Sequence, residues 1–139
     1  KGGTRPDPFT DTGIQTMKYS LLPHIGAFDA ETVIKPAYEF NYAPVEVEGK
    51  CELPKLFSLT GNAIICEAVK NAEDIENAYV LRLYEAERNH SVCKLNVGGA
   101  KKAYLTNMLE EKEEELDIKD GEVTLRFTPF EIKTILVER

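Results

Sequence analysis

Val123-Thr124-Leu125-Arg126-Phe127-Thr128 is the clearest indication of fold class in the chain. Its apolar residues alternate with polar ones, and successive side chains of a β-strand point to opposite faces of the sheet. Val123, Leu125 and Phe127 therefore share one face, while the polar residues share the other. The alternation predicts a strand that is buried on one side only.

Similar short runs recur through the second half of the chain, separated by residues that tolerate tight turns, such as Gly61-Asn62, Gly98-Gly99 and Asp120-Gly121. The run over residues 78–84 carries apolar bulk on both faces, which predicts a central strand with Arg82 paired or at a domain contact. Together the runs indicate an all-β sandwich of immunoglobulin-like size, with strands over residues 63–69, 78–84, 91–97, 101–108, 123–127 and 130–137.

The first third of the chain has a different pattern. A loose alternation over residues 15–22 places Met17, Tyr19 and Leu21 on one face, which predicts a strand that ends at Pro23. Asp29 is a candidate cap for a helix beginning at Ala30, although Pro36 should kink or shorten that helix. Prolines, a glycine and charges near residues 44–55 indicate a boundary, with one unit over residues 1–45 and a terminal sandwich over residues 46–139.

Composition and charge limit the classes of function. The chain has 42% hydrophobic and 29% charged residues and a net charge of −7 at pH 7. No apolar run is long enough for a membrane span, and scattered lysines and arginines offer no basic stripe to nucleic acid. We therefore expect no membrane or nucleic-acid partner. The start, Lys1-Gly2-Gly3-Thr4, lacks an initiator Met and a signal peptide, so we expect a domain excised from a longer protein.

The three cysteines suggest a reducing, cytoplasmic environment. Cys51, Cys66 and Cys93 are odd in number, and they lack the spacing of a disulfide framework or a zinc knuckle. Cys66 and Cys93 lie within apolar runs, where a free cysteine behaves as a small buried hydrophobe.

No motif for catalysis stands out. His24 and His90 lack the spacing of metal ligands, and the acidic run over residues 110–115 is expected to form a solvated turn or loop. No phosphate-binding loop or activated serine motif is present. A sugar-binding platform stays open, because six tyrosines are available, although the chain has no Trp.

Several segments together resemble glycoside hydrolase family 38, the α-mannosidases. Asp11-Thr12-Gly13, followed by Met17-Lys18-Tyr19-Ser20-Leu21-Leu22-Pro23-His24, resembles a segment in the C-terminal half of that family. Phe40-Asn41-Tyr42-Ala43-Pro44 and the stretch from Ala68 to Asp74 follow in the family's order. Val80-Leu81-Arg82-Leu83-Tyr84-Glu85 and the stretch from Thr128 to Leu136 are similar to its later signatures.

The resemblance implies that the parent chain is a retaining α-mannosidase that depends on a divalent metal, usually zinc, and hydrolyses terminal α-mannosides. The catalytic residues and metal ligands would lie in an N-terminal half, so none is assigned here. Residues 1–45 would be the last strands and a crossing segment of a supersandwich. The motif positions expected to be structural are Tyr19, Pro23, His24, Arg82, Tyr84, Glu85, Pro129, Phe130, Glu131 and Thr134.

Two functions follow as hypotheses. In the first, the chain is a non-catalytic region that docks on the catalytic half of the same parent and shapes its cleft. Apolar edges around residues 17–22 and 33–40 would then be uncovered in the isolated chain, which could form a homodimer. In the alternative, the chain is a stand-alone carbohydrate-binding module.

Overall fold

The computed structural model describes residues 12–50 and 55–139 of the chain. A π-helical turn (Ala30–Ile34) leads into helix α1 (Lys35–Asn41). The remaining regular elements are strands, namely β1 (Ser58–Thr60), β2 (Ile64–Asn71), β3 (Ala78–Glu85), β4 (Ser91–Asn96), β5 (Lys102–Thr106), β6 (Lys112–Leu116), β7 (Glu122–Phe127) and β8 (Ile132–Glu138). This confirms the all-β prediction and the six predicted strands, to which β1 and β6 are added.

The strands form two antiparallel sheets. The smaller has the order β1-β4-β7 and the larger has the order β2-β3-β8-β5-β6. The chain passes from the smaller sheet to the larger one at Gly61, whose φ is +118°. A Cβ atom there would lie 3.1 Å from both the Cβ of Cys93 and the carbonyl oxygen of Val92. Glycine is therefore required by close packing as well as by backbone geometry.

The core fills the space between the two sheets. As predicted, Val123, Leu125 and Phe127 of β7 all point into it, while Thr124 and Arg126 face solvent. The larger sheet contributes alternate residues of its central strands. The buried core cluster consists of Ile64, Tyr79, Leu81, Leu83, Cys93, Leu95, Val97, Ala103, Val123, Leu125, Phe127, Ile135 and Val137.

Strand β3 is central, as its two apolar faces predicted. It pairs with β2 on one side and with β8 on the other. Leu81 and Leu83 point into the core, so the alternate residues Val80, Arg82 and Tyr84 lie on the outer face of the larger sheet.

The predicted helix is present, and its regular α-helical part is short, as the position of Pro36 predicted. The turn before it is π-helical. The Oδ1 atom of Asp29 accepts a hydrogen bond of 2.7 Å from the N–H of Thr32, which caps the π-helical turn. Regular α-helix begins only at Lys35, immediately before Pro36. A small apolar cluster joins this segment to the larger sheet, and it contains Ala30, Ile34, Tyr38, Ile65, Tyr84 and Ala86.

The strand predicted over residues 15–22 is wrong for this chain. These residues have no strand pairing, and all of them are exposed. The apolar alternation is real, but a strand needs a neighbour that exchanges backbone hydrogen bonds with it. No other strand among the described residues pairs with this segment.

The solvated loop predicted for the acidic run is also wrong. Part of the run forms the edge strand β6, which pairs with β5. Lysines from other elements balance the charge: the Nζ of Lys70 lies 2.7 Å from Glu110, and Lys102 lies 3.5 Å from Glu115. Self-repulsion is therefore reduced by partners that are distant in sequence, and an edge strand keeps its remaining carboxylates in water.

The boundary near residue 46 stays a prediction, and Cys51 lies outside the described residues.

Candidate functional site

Seven of the ten motif positions belong to two segments that the larger sheet brings together. The first is the end of β3, and the second is the turn before β8 with the first residues of that strand. The pairing places Tyr84 opposite Ile132 and Arg82 opposite Thr134. The positions brought together are Arg82, Tyr84, Glu85, Pro129, Phe130, Glu131 and Thr134.

Glu85 holds the two segments together. Its side chain is 0% exposed. One carboxylate oxygen accepts a hydrogen bond of 3.0 Å from the N–H of Phe130, and the other accepts one of 2.9 Å from the N–H of Glu87. The backbone N–H of Glu85 in turn donates to the carbonyl oxygen of Glu131 at 3.0 Å. A buried carboxylate thus fixes the turn that precedes β8.

The same turn is stabilised from its other side by Glu131. Its Oε2 atom accepts hydrogen bonds from the backbone N–H and the hydroxyl of Thr128, at 2.7 and 3.2 Å. Its Oε1 atom lies 2.7 Å from the Nζ of Lys133. Between these anchors, Phe130 has a φ of +59°, an unfavourable region for a bulky residue. The turn therefore holds Phe130 in a strained conformation with its ring exposed.

Hydrogen bonding lowers the pKa values of both carboxylates. Burial is the largest single influence on Glu85 and tends to raise its pKa, but backbone N–H groups, led by those of Phe130 and Glu87, together outweigh it and lower the pKa overall. The pKa of Glu131 is lowered chiefly by its hydrogen bond from Lys133. A glycosidase acid needs a raised pKa, so neither group has the property of a general acid.

Acidification is expected to destabilise the chain below about pH 4.5, the ordinary range for glutamate. A lowered folded-state pKa gives stability that is complete above the unfolded pKa and is lost as the pH falls through the folded value. Glu85 and Glu131 both have the required downward shift. Urea unfolding at several pH values should show this loss. Glu85→Gln should reduce the loss of unfolding free energy on acidification, whereas Glu113→Gln on β6 should leave that loss unchanged. Equal pH dependence of stability in both variants would mean that Glu85 does not contribute to it.

A second hydrogen-bond network connects helix α1 to the outer face of the larger sheet. The hydroxyl of Tyr38 donates to Oε2 of Glu67 at 2.5 Å and lies 3.3 Å from the hydroxyl of Tyr84. The hydrogen bond to Glu67 is the main reason that the pKa of Tyr38 is raised. The N–H of Ala30 also donates to Oε1 of Glu87 at 2.9 Å. These bonds orient the helical segment beside the motif residues.

Tyr38→Phe is expected to weaken the attachment of the helix by about 1 kcal/mol, the usual net value of one hydrogen bond. Hydrogen exchange of the α1 backbone amides would measure the change as faster local opening. Tyr42→Phe is the matched control, because the Tyr42 ring stacks on Tyr38 at 5.8 Å. No hydrogen bond from the Tyr42 hydroxyl is present among the described residues. Equal acceleration in both variants would mean that the Tyr38 hydroxyl does not anchor the helix.

Arg82 lies at the centre of the outer face. Together with Glu67, Tyr84, Glu85, Phe130 and Ile132 it lines a pocket of about 250 Å³. Its Nε atom is buried and has no hydrogen-bond partner among the residues that the structure describes. Thr134, which faces Arg82 across the β3–β8 pair, is buried, and its hydroxyl lies 3.8 Å from the sulfur of Met108.

The other three motif positions are separate from this cluster. Tyr19, Pro23 and His24 lie on the exposed segment before Asp29. His24 is close enough to contribute to the lowered pKa of Asp29, although hydrogen bonding from Thr32 is the main cause. His90 is exposed beside its turn, as expected. Across residues 12–50 and 55–139, no group of three or more His, Cys, Asp or Glu side chains is placed to hold a metal ion.

The tyrosines and cysteines are mostly engaged in packing. The Tyr79 ring is buried with the guanidinium of Arg139 5.4 Å from its centre, and the Tyr104 ring lies 4.1 Å from the Nζ of Lys112. Cys93 is buried, and burial raises its pKa to about 11; Cys66 is half-buried and its pKa is also raised to about 11. These thiols therefore behave as packing residues, as predicted.

Five residues of this region were not among the predicted motif positions: Tyr38, Glu67, Glu87, Met108 and Ile132. Ile132 could have been found, since Ile132, Thr134 and Leu136 alternate with the core residues of β8. Glu67 could not, because it lies at a register shift between Cys66 and Ala68 that only the pairing shows.

Comparison with known proteins finds similarity to one family model and to several alpha-mannosidases. The model of the glycosyl hydrolases family 38 C-terminal beta sandwich domain matches residues 63–135. Alpha-mannosidase 2C1 of Homo sapiens is 33% identical over 141 aligned positions, which cover 95% of this chain. The alpha-mannosidase of Saccharomyces cerevisiae is 32% identical over 113 positions, which cover 66% of this chain.

The chain is short relative to these proteins. It spans 14% of the length of the human relative and 10% of the length of the yeast relative. Among the described residues, no helix has the length and apolar character needed to cross a membrane.

Proposed function

Since the chain belongs to glycoside hydrolase family 38 and matches its C-terminal region, we propose that it is a non-catalytic part of a larger α-mannosidase that packs against the catalytic half. The parent would hydrolyse terminal α-mannosides with retention of configuration. The role of this chain would be to support and shape the catalytic half.

One observation carries the proposal: a long apolar segment is left in solvent. Between Thr12 and Phe28, nearly every large apolar side chain is exposed, with Ile14 at 98% and Ile25 at 101%. The others are Met17, Tyr19, Leu21, Leu22 and Phe28. Burial of one such side chain is worth about 1.5–3 kcal/mol, so covering this segment with the rest of a longer polypeptide is strongly favourable.

The proposal is tested by supplying this chain separately from the remainder of the parent α-mannosidase. We expect the remainder alone to be poorly folded and inactive towards an aryl α-mannoside. Co-expression with this chain should restore hydrolysis, and the two should copurify. The chain alone should show no turnover. Full activity of the remainder without this chain, or hydrolysis by the isolated chain, would contradict the proposal.

Removing residues 1–28 is a second test of the exposed segment. The shortened chain, residues 29–139, keeps both sheets, the main core cluster and the helical segment that packs on Ile65 and Ala86. It should be more soluble than the full chain and should remain monomeric in light scattering, whereas the full chain should dimerise as concentration rises. Lower solubility of the shortened chain would show that residues 12–28 do not drive association.

We propose that the divalent metal, zinc or another, is bound by residues of the parent outside this chain, as the family resemblance implies. A chelator should abolish hydrolysis by the parent while leaving the Tm of this chain unchanged. A lowered Tm would indicate a metal site within the chain.

We also propose a cytoplasmic location for the parent, for which the free thiols of Cys66 and Cys93 provide support. Fractionation of cells that produce the tagged parent would test this, with recovery in a secretory compartment as the contrary result. Carbohydrate binding by the isolated chain would require saturable chemical-shift changes with α-linked mannobiose, and we expect none.

A further inference from the structure

On the outer face of the larger sheet, Arg82 has an unsatisfied hydrogen-bond donor. The buried Nε of Arg82 lacks an acceptor among the described residues, and its guanidinium forms no ion pair with their carboxylates. A buried, unpaired donor costs about 1–3 kcal/mol. Glu85 lines the same pocket, but its oxygens accept backbone N–H groups, and Glu67 accepts the hydroxyl of Tyr38. Glu110 acts on Arg82 electrostatically, but its carboxylate oxygens pair with Lys70 at 2.7 Å and accept the N–H of Glu73 at 3.0 Å. These three acids therefore make their hydrogen bonds with groups other than Arg82.

Apolar side chains surround this cation and remain in water. Met108 is 57% exposed, Phe130 is 61% exposed and Ile132 is 58% exposed. The strand register places Ile132 beside Tyr84 and one step from Arg82. Phe130 is kept exposed by a strained backbone that the buried Glu85 fixes. Strain maintained by a buried anchor is typical of a functional surface.

We propose that Arg82, Tyr84, Met108, Phe130 and Ile132, here named the Arg82 surface, bind a carboxylate-bearing segment of the same α-mannosidase polypeptide that lies outside these 139 residues. An apolar side chain of that segment fills the pocket of about 250 Å³ beside Arg82. Its carboxylate pairs with the guanidinium, whose planar fork fits a carboxylate with two parallel hydrogen bonds. This inference rests on the proposed function and adds the surface and the chemistry of the contact.

Charge favours this occupant over a second copy. The chain carries a net charge of −7, so repulsion between copies opposes docking of a second copy at Arg82, in contrast to the apolar association expected of residues 12–28. The chain spans only 14% of its human relative, so a parent of similar length has ample other surface to supply the segment. A segment joined through the same backbone also binds at high effective concentration, which a separate copy lacks.

Cysteine labelling in the full-length parent tests the surface. Ile132→Cys reports on it, and Val92→Cys is the matched control, because Val92 is 52% exposed on the other sheet. Labelling rates are read by mass spectrometry with fragment-ion assignment, which distinguishes residue 92 from the adjacent, buried Cys93. In the isolated chain the two rates should be similar. In the parent, the labelling rate at residue 132 should be roughly ten-fold lower than in the isolated chain, because interface burial excludes the reagent. The labelling rate at residue 92 should be unchanged.

A second pair of variants tests the carboxylate contact. Arg82→Leu in the parent should restore labelling at residue 132 by about five-fold or more, because the central ion pair is lost. Arg126→Leu is its control, since Arg126 is exposed on β7 and in register with Val92. A Tm of isolated Arg82→Leu near that of the unmodified chain would show that the sandwich remains folded.

Three outcomes would overturn the inference. The first is unchanged labelling at residue 132 in the parent, and the second is full protection in Arg82→Leu. The third is protection in the isolated chain that grows with its concentration, which would identify a second copy as the occupant. If the chain still restores activity to the separate remainder, the proposed function stands while the Arg82 surface fails.

Discussion

Glu85→Ala is expected to lower the free energy of unfolding by about 4 kcal/mol, which would remove much of the stability of a domain of this size. The side chain is fully buried and accepts charge-assisted hydrogen bonds from the N–H groups of Phe130 and Glu87. Each such bond is worth about 1.5–3 kcal/mol, and truncation also leaves two part-buried N–H donors without their acceptor. Urea denaturation of the isolated chain measures the loss directly.

The control for this variant is Glu113→Ala on the edge strand β6. Glu113 is exposed, and no hydrogen bond or ion pair of its side chain is present among the described residues. Its replacement should change the free energy of unfolding by less than about 0.5 kcal/mol. A loss below about 1 kcal/mol for Glu85→Ala would mean that the turn before β8 does not depend on this carboxylate. Phe130 should also become more mobile in Glu85→Ala, which links fold stability to the Arg82 surface.

Leu95→Ala is expected to cost about 3 kcal/mol. Leu95 is fully buried in β4, the central strand of the smaller sheet, and it belongs to the core cluster that both sheets share. Removing three carbon atoms leaves a cavity that two paired sheets cannot easily close. Chemical denaturation should show a lower midpoint with an unchanged m-value, because the unfolding remains cooperative.

Leu109→Ala is the corresponding control, because Leu109 is 79% exposed in the turn between β5 and β6. It removes the same atoms from a side chain that is already in water, so its effect on unfolding should be small. Equal costs at residues 95 and 109 would contradict the packing of the smaller sheet on the larger one.

The resemblance to family motifs identified most residues of the candidate site, but it did not distinguish their individual roles. Arg82, Glu85, Phe130 and Glu131 were all expected to be structural. The structure separates them: Glu85 and Glu131 fix a turn that exposes Phe130. The Nε atom of Arg82 has no hydrogen-bond partner among the described residues. The distinction depends on a contact between residues that are 45 positions apart, so no local pattern could have shown it.

The sequence by itself determined the strands of the sandwich and the capped, proline-interrupted helix. Alternation such as that of residues 123–127 specifies which side chains are buried, and Asp29 and Pro36 act on their own neighbours. These features are local, so they can be predicted without a partner.

Only the tertiary structure decided the two elements for which the sequence prediction was wrong. Residues 15–22 have the pattern of a strand but no pairing neighbour among the described residues, whereas part of the acidic run becomes β6 because it pairs with β5. Lys102 of β5 also lies 3.5 Å from Glu115 of β6. Whether a segment joins a sheet depends on hydrogen-bond partners and counter-charges supplied by distant parts of the chain. Which residues serve as these partners is fixed only when the chain folds, because pairing energy is gained only when both strands are present.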